Sequence, residues 1–422
     1  MSLNLTDVDR SLLDGRSGAG VAFAMRLVVR AAEVTGAERL TQIGGAHVDS
    51  CLYHGEATLD FVNRLADGGA RVSVPTTLNV GALDLLHPEL WRGEAHIAER
   101  GRLLMERYRA LGARPTFTCA PYQLADSRPA LGEHVAWGES NAIAFCNSVL
   151  GARTNRYGDF IDVAAAIVGR VPEAGLHLTD ARRATLVLRI GADVPPALRN
   201  SDQLFPLLGI VLGRRAGSAV AVIDGLEPGQ SEDRLKALGA AAASSGSVAM
   251  FHVVGSTPEA GTLDAALHGR RPTEIHQIGL AELRAVRDEL TTAGGDRLGA
   301  VSIGTPHASL PELERAAALL VGRRVHGSIQ FLISTGRDVL AEAAERGIVT
   351  RLEESGVELL VDTCSYIAPV LRKVDGAVMT NSGKWAYYAP GNVGVDVVIG
   401  SVEECVASAV TGRVVRDEAV WQ

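Results

Sequence analysis

Residues 298–322 read LGAVSIGTPHASLPELERAAALLVG. The first seven residues are a short apolar run containing Val301 and Ile303, which suits a buried strand. A polar turn with Gly304 and Pro306 follows. Ser309 then stands three positions before Glu312, the capping-box spacing that opens a helix, and a helix over SLPELERAAALLVG (309–322), with Ser309 as its cap, is expected. Strand, polar turn and helix in that order make a βα unit.

The same unit recurs outward from this stretch. On the carboxyl side come GSIQFLIST (327–335), GRDVLAEAAERG (336–347), VELLVDTC (357–364), GAVMTNSG (376–383), VDVVIGS (395–401) and the closing helix VEECVASAVTG (402–412). A middle stretch holds ATLVLRIG, SAVAVIDGL and SVAMFHVVG as strands, with EDRLKALGAAAASSG and LAELRAVRDELTTAGG as helices. It is poor in polar strand ends and reads as scaffold. Near the amino end, Thr6 is placed to cap a first helix, and GVAFAMRLVVRAAEVTG (20–36) is a helix stopped by Gly36. RLTQIGGAHVDSC, the helix ATLDFVNRLADGGA and the strand RVSVPTTLNVG continue the alternation. The expected class is α/β with largely parallel sheets, divided into regions 1–156, 157–297 and 298–422.

With 422 residues, 47% apolar and 21% charged, the chain has ample material for a globular core. A net charge of −8 and 5% aromatic residues exclude a nucleic-acid or anionic-membrane surface as the main function. No run of about 20 apolar residues is present, and the polar start MSLNLTDVDRSLLDG is unlike a signal peptide, so a cytoplasmic protein is expected. The five cysteines, at 51, 119, 146, 364 and 405, are odd in number and form no CxxC pair, which excludes a disulfide framework and a zinc ribbon. They leave inert core thiols, a catalytic thiol, or ligands gathered from distant loops.

Polar residues collect at the strand ends, in 44–55, 74–81, 116–123, 138–156, 304–310, 362–369 and 380–391. Ligands of parallel α/β sheets sit at such carboxyl ends, so a polar pocket built from many segments is expected. His47 and His307 lie beside Gly or Pro in these loops. Lys384, following Ser382 and Gly383 at a strand end, suits an anion. Cys405 reads as plain core and Cys146 as packing with a reserve role, whereas His87, His96, His177 and His268 read as surface residues. Rossmann, P-loop and nucleophile-elbow motifs are absent.

Taken in order, AHVDSCLYHGEA, VPTTLNVG, FTCAPY, NSVLGARTNR, GTPHASL, DTCSYIAP and TNSGKWAYYAPG resemble the large component of the aconitase X family, over nearly the whole chain. The resemblance implies aconitase-like three-layer α/β/α domains and an iron–sulfur-dependent dehydratase. Bacterial members are similar to cis-3-hydroxy-L-proline dehydratases, archaeal ones to mevalonate 5-phosphate dehydratases. It implies a small swivelling domain, expected here on a separate subunit and carrying a serine base. Archaeal members tend to show Gly-Cys-Pro-His where this chain has Gly304-Thr305-Pro306-His307. Thr305 offers no thiolate, so the implied ligands are Cys51, Cys119 and Cys364, and a [2Fe–2S] cluster is preferred to [3Fe–4S] or [4Fe–4S]. Implied catalytic residues are His47 and His307, as acids toward the departing hydroxyl, and Lys384. Thr76, Thr77, Asn79, Glu139, Ser140, Asn141, Arg153, Ser365 and Ser382 would line the substrate site. Two other classes fit the residues: a cluster-free thiol enzyme pairing Cys364 or Cys119 with His307, and a metabolite-binding subunit without turnover.

Overall fold

The computed structural model describes residues 3–422, and the alternation of strand and helix is the observed architecture. The chain forms two compact units, one of residues 1–83 and 94–183, the other of 84–93 and 184–422.

In the first unit a three-stranded parallel sheet has Ala46–Val48 at its centre, flanked by Thr76–Leu78 and Ala136–Trp137. An antiparallel pair, Leu40–Gln42 with Arg170–Pro172, accompanies it. The helix Ala19–Thr35 buries Val21, Met25 and Val28 along one stripe and stops at Gly36 in the left-handed region, as the sequence reading has it. Thr6 caps Asp7–Leu13, with Asp9 returning the hydrogen bond. The strand expected across RVSVPTTLNVG shrinks to Thr76–Leu78, because Pro75 has no N–H to give and its carbonyl accepts from Ala46 instead.

The second unit carries two parallel sheets. One orders Phe251–Val253, Ala221–Asp224, Leu186–Ile190 and Glu274–Ile278. The other orders Val357–Leu360, Gln330–Thr335, Leu298–Ala308, Ala377–Thr380 and Val397–Ile399. Its core joins Val301, Ile303, Phe331, Ile333, Leu359 and Met379 to Leu313, Leu352 and Cys405 from the covering helices. Each large apolar side chain withdrawn from water contributes about 1.5–3 kcal/mol. The capping box expected at Ser309 is present: Ser309 N–H donates to Glu312 (2.9 Å) and Glu312 N–H to Ser309 Oγ (3.3 Å). Among the described residues no helix is long and apolar enough to cross a membrane.

The strand at LGAVSIG does not end at Gly304 but runs to Ala308 through an irregularity. Ile303 pairs with Ile333 and Ala308 with Thr335, so residues 304–307 face a single residue, Ser334. Gly304 has φ +84°, and a Cβ there would lie 2.1 Å from the Ser334 carbonyl oxygen. Only glycine fits that step.

Candidate active site

In the second unit the carboxyl ends of the central strands bring Thr305, His307, Thr363, Cys364, Ser365, Ser382 and Lys384 into buried positions. His307 is fully buried at the end of the bulge, and its Nε2 lies 3.1 Å from the Thr363 carbonyl oxygen. A carbonyl only accepts, so Nε2 carries a proton and donates it. A nitrogen donor of His307 and the Cys364 sulfur lie within 4.8 Å of each other.

The loop of Cys364 is braced from beneath. Asp362 adopts the left-handed region (φ 62°). Its carboxylate takes Arg337 Nε (2.5 Å) and Nη2 (2.6 Å) and the Leu85 N–H (3.0 Å). Ser365 is spoken for inside the fold: it accepts from Trp385 Nε1 (2.9 Å) and bonds Ser302 Oγ (2.7 Å). Ser382 donates to the Thr305 carbonyl and accepts from Trp385 N–H (3.0 Å) as cap of the helix Gly383–Asn392. Lys384 therefore lies in the first turn of a helix, buried, and not at a free strand end as the sequence suggested. The Oγ atoms of Thr305, Ser334 and Thr363 are buried without a hydrogen-bond partner, the mark of a site that expects a ligand or ordered water.

In the first unit a second set of expected residues gathers at the end of the three-stranded sheet. His47 Nδ1 bonds Thr77 Oγ1 (2.8 Å), and His47 Nε2 is buried with no partner. Burial lowers the His47 pKa to about 3, so its imidazole is neutral at neutral pH. Thr76 bonds the Val74 carbonyl (2.8 Å). Asn79 donates to Asp49, and its own Oδ1 is buried and unpartnered. Burial, reinforced by the Glu139 carboxylate, pushes Asp49 up to about 8. Glu139 caps the helix Ser140–Phe145: it accepts from Ala142 N–H (2.7 Å), from Asn141 and from Ser140 Oγ (3.4 Å).

Asn141 also donates to the Cys119 carbonyl (2.9 Å) and accepts from Tyr122 OH (2.8 Å), fixing the loop on which buried Cys119 stands. The Cys51 thiol donates to the Asn79 carbonyl (3.1 Å), and burial raises its pKa well above the usual value. Arg153 spends two N–H groups on the His177 carbonyl (2.7 Å) and Thr179 Oγ1 (2.9 Å). His177, expected on the surface, is buried. Its ring bonds Tyr157 OH (2.5 Å) and His134 Nδ1 (2.8 Å).

Sequence reasoning missed Asp49, Arg337, Ser302 and Trp385. All four stand inside the stretches quoted above, yet each acts through a partner 20 or more positions away, for which local spacing holds no signal.

Parallel strands ending in buried thiol, imidazole, carboxylate and hydroxyl groups define an α/β enzyme. The chain belongs to the aconitase X family: family models for the aconitase X first, second and third domains match residues 2–180, 184–288 and 298–411. It is 42% identical over 98% of its length to a cis-3-hydroxy-L-proline dehydratase of Pseudomonas aeruginosa, covering 71% of that protein. It is 36% identical over 97% of its length to a phosphomevalonate dehydratase large subunit of Methanosarcina mazei, covering 98% of that chain. The crystal structure of Thermococcus kodakaraensis aconitase X in its holo-form superposes with a TM-score of 0.86 at 34% identity, over 96% of this chain and all of that one. The relatives are dehydratases, that is hydro-lyases, and this chain is an enzyme of their family.

Proposed function

We propose that this chain is the large component of an iron–sulfur dehydratase that removes water from cis-3-hydroxy-L-proline, giving Δ1-pyrroline-2-carboxylate after tautomerisation, and that it works in the cytoplasm with a small subunit. The observation that carries the substrate is the 42% identity to the Pseudomonas enzyme along 98% of the chain. The name "large subunit" borne by the archaeal relatives supports a small partner.

The donor chemistry suits a cluster. Cys364 and His307 are buried neighbours. His307 is oriented by a carbonyl on one nitrogen, the usual support of a metal-binding imidazole. Cys51, Cys119 and Cys364 would hold a [2Fe–2S] cluster, with Cys51 first giving up its proton and its bond to Asn79. When bound, such a centre supplies a Lewis acid for the leaving hydroxyl.

The chain's own residues would do the rest. Lys384 and Ser382 would take the substrate carboxylate at the start of a helix, where the backbone dipole favours an anion. His47 would accept a hydrogen bond at Nε2. His307 would hold the site proton at Nε2 and accept at Nδ1. Thr76, Thr77, Asn79, Glu139, Ser140, Asn141, Arg153 and Ser365 would shape and support the pocket. The base for the Cα proton would come from the small subunit.

The test is turnover of cis-3-hydroxy-L-proline by anaerobically prepared chain, alone and with its small subunit. Formation of Δ1-pyrroline-2-carboxylate only when both are present supports the reading. Turnover of mevalonate 5-phosphate instead would move the chain to the activity of its archaeal relatives. Binding without turnover of either would contradict the reading.

A further inference from the structure

The helix Glu232–Ser245 lies in the stretch that the sequence marks as scaffold, yet it carries Lys236, whose side chain is only 3% exposed. The ammonium has three N–H bonds and meets three acceptors: Asp233 Oδ1 (2.9 Å), Glu312 Oε2, and the main-chain carbonyl of His307 (3.4 Å). Asp233 also accepts from Ser309 Oγ (2.8 Å), and Glu312 accepts from Ser309 N–H (2.9 Å). The ring Lys236–Asp233–Ser309–Glu312 thus closes around the residues that follow the bulge.

The bulge explains why a donor is needed there. Residues 304–307 fall out of register with Gln330–Thr335, so their carbonyls lose regular ladder partners. Side chains replace them. Ser382 donates to the Thr305 carbonyl and Lys236 to that of His307, while Thr335 Oγ1 donates to the carbonyl of Ala308, where the pairing resumes (2.8 Å). The imidazole of His307 is then set by Thr363. Of the three carbonyl clamps, Lys236 is the only one bearing charge. A helix staple alone needs only its pairs with Asp233 and Glu312.

We infer that Lys236 is a positioning residue for His307, fixing the backbone from which the imidazole reaches the site. The catalytic consequence rests on the function proposed above; the positional one does not.

The test is the tautomer and shift of the His307 ring, read by 15N-histidine NMR on the purified full chain without substrate, cluster or partner, in wild type and K236M. The wild type is expected to show a single Nε2–H tautomer. K236M is expected to show His307 moved or averaged while the other histidines hold. With the small subunit present, kcat should fall about tenfold or more, as misplacement of a reacting group does, with KM within about twofold. If K236M does not fold, K236Q/D233N, which removes one charge of each sign, replaces it. A folded variant with an unchanged His307 ring overturns the inference, as does failure of both variants to fold, which makes Lys236 purely structural. Full activity of His307→Ala would overturn the functional reading and leave a displaced His307 ring in K236M as found.

Discussion

His307 donates from Nε2 to the Thr363 carbonyl oxygen 3.1 Å away, and the residue after Thr363 is Cys364. One hydrogen bond therefore ties the imidazole to the loop that carries the thiol, so the two donors keep a fixed relation before any ligand arrives. Preorganisation of this kind lowers the cost of assembling a metal centre.

Cys364→Ala is expected to leave the fold intact and abolish the visible absorbance of the reconstituted protein. Cys405→Ala, in the core beside Val406 and Leu313, should keep the absorbance. It should also cost about 1–2 kcal/mol in a denaturant titration, as small cavities do. Wild-type absorbance in the Cys364 variant would remove that residue from the ligand set.

Gly304→Ala is expected to destabilise the second unit by roughly 3 kcal/mol or prevent its folding. It combines a positive φ with a clash against Ser334 that neither backbone can relieve cheaply. The midpoint of urea unfolding reads the effect. A variant within about 0.5 kcal/mol of wild type would mean that the bulge is not built as described.

Arg337→Met leaves the fully buried Asp362 carboxylate without its two-pronged partner. A loss of about 3 kcal/mol follows for such a broken pair. Arg337→Met/Asp362→Asn should recover a good part of it, which a double-mutant cycle measures.

Acid should destabilise the first unit through His177. Burial, with His134 and nearby arginines adding to it, lowers its pKa from 6.5 to about 3. The folded protein thus binds the proton less readily than the unfolded chain. This contribution to stability is complete above about pH 6.5 and is lost as pH falls toward 3. At pH 5 the loss from this residue is about 2 kcal/mol. His177→Gln should flatten the slope of stability against pH over that window. An unchanged slope would show that His177 does not titrate as described.

Much of this was legible in the residues. The Ser309–Glu312 box, the Gly36 stop and the strand–helix alternation are local, and local spacing announces them. The polar strand ends holding His307, Cys364 and Ser382 were visible for the same reason. What stayed hidden depends on contacts distant in sequence. Lys236 meets Glu312 across 76 positions and Arg337 meets Asp362 across 25, so neither pair leaves a periodic trace. His177 looks like a surface residue until Tyr157 and His134 close over it. Lys384 did carry a local signal, the Ser382 cap, but Gly383 and Pro390 disguised the helix that follows.

Iron and acid-labile sulfide content of the chain, purified and reconstituted without oxygen, decides whether it carries a cluster. About two irons and two sulfides per chain with broad visible absorbance are expected, as a [2Fe–2S] centre requires. Absence of both after reconstitution would contradict that expectation and leave Cys51, Cys119 and Cys364 as thiols.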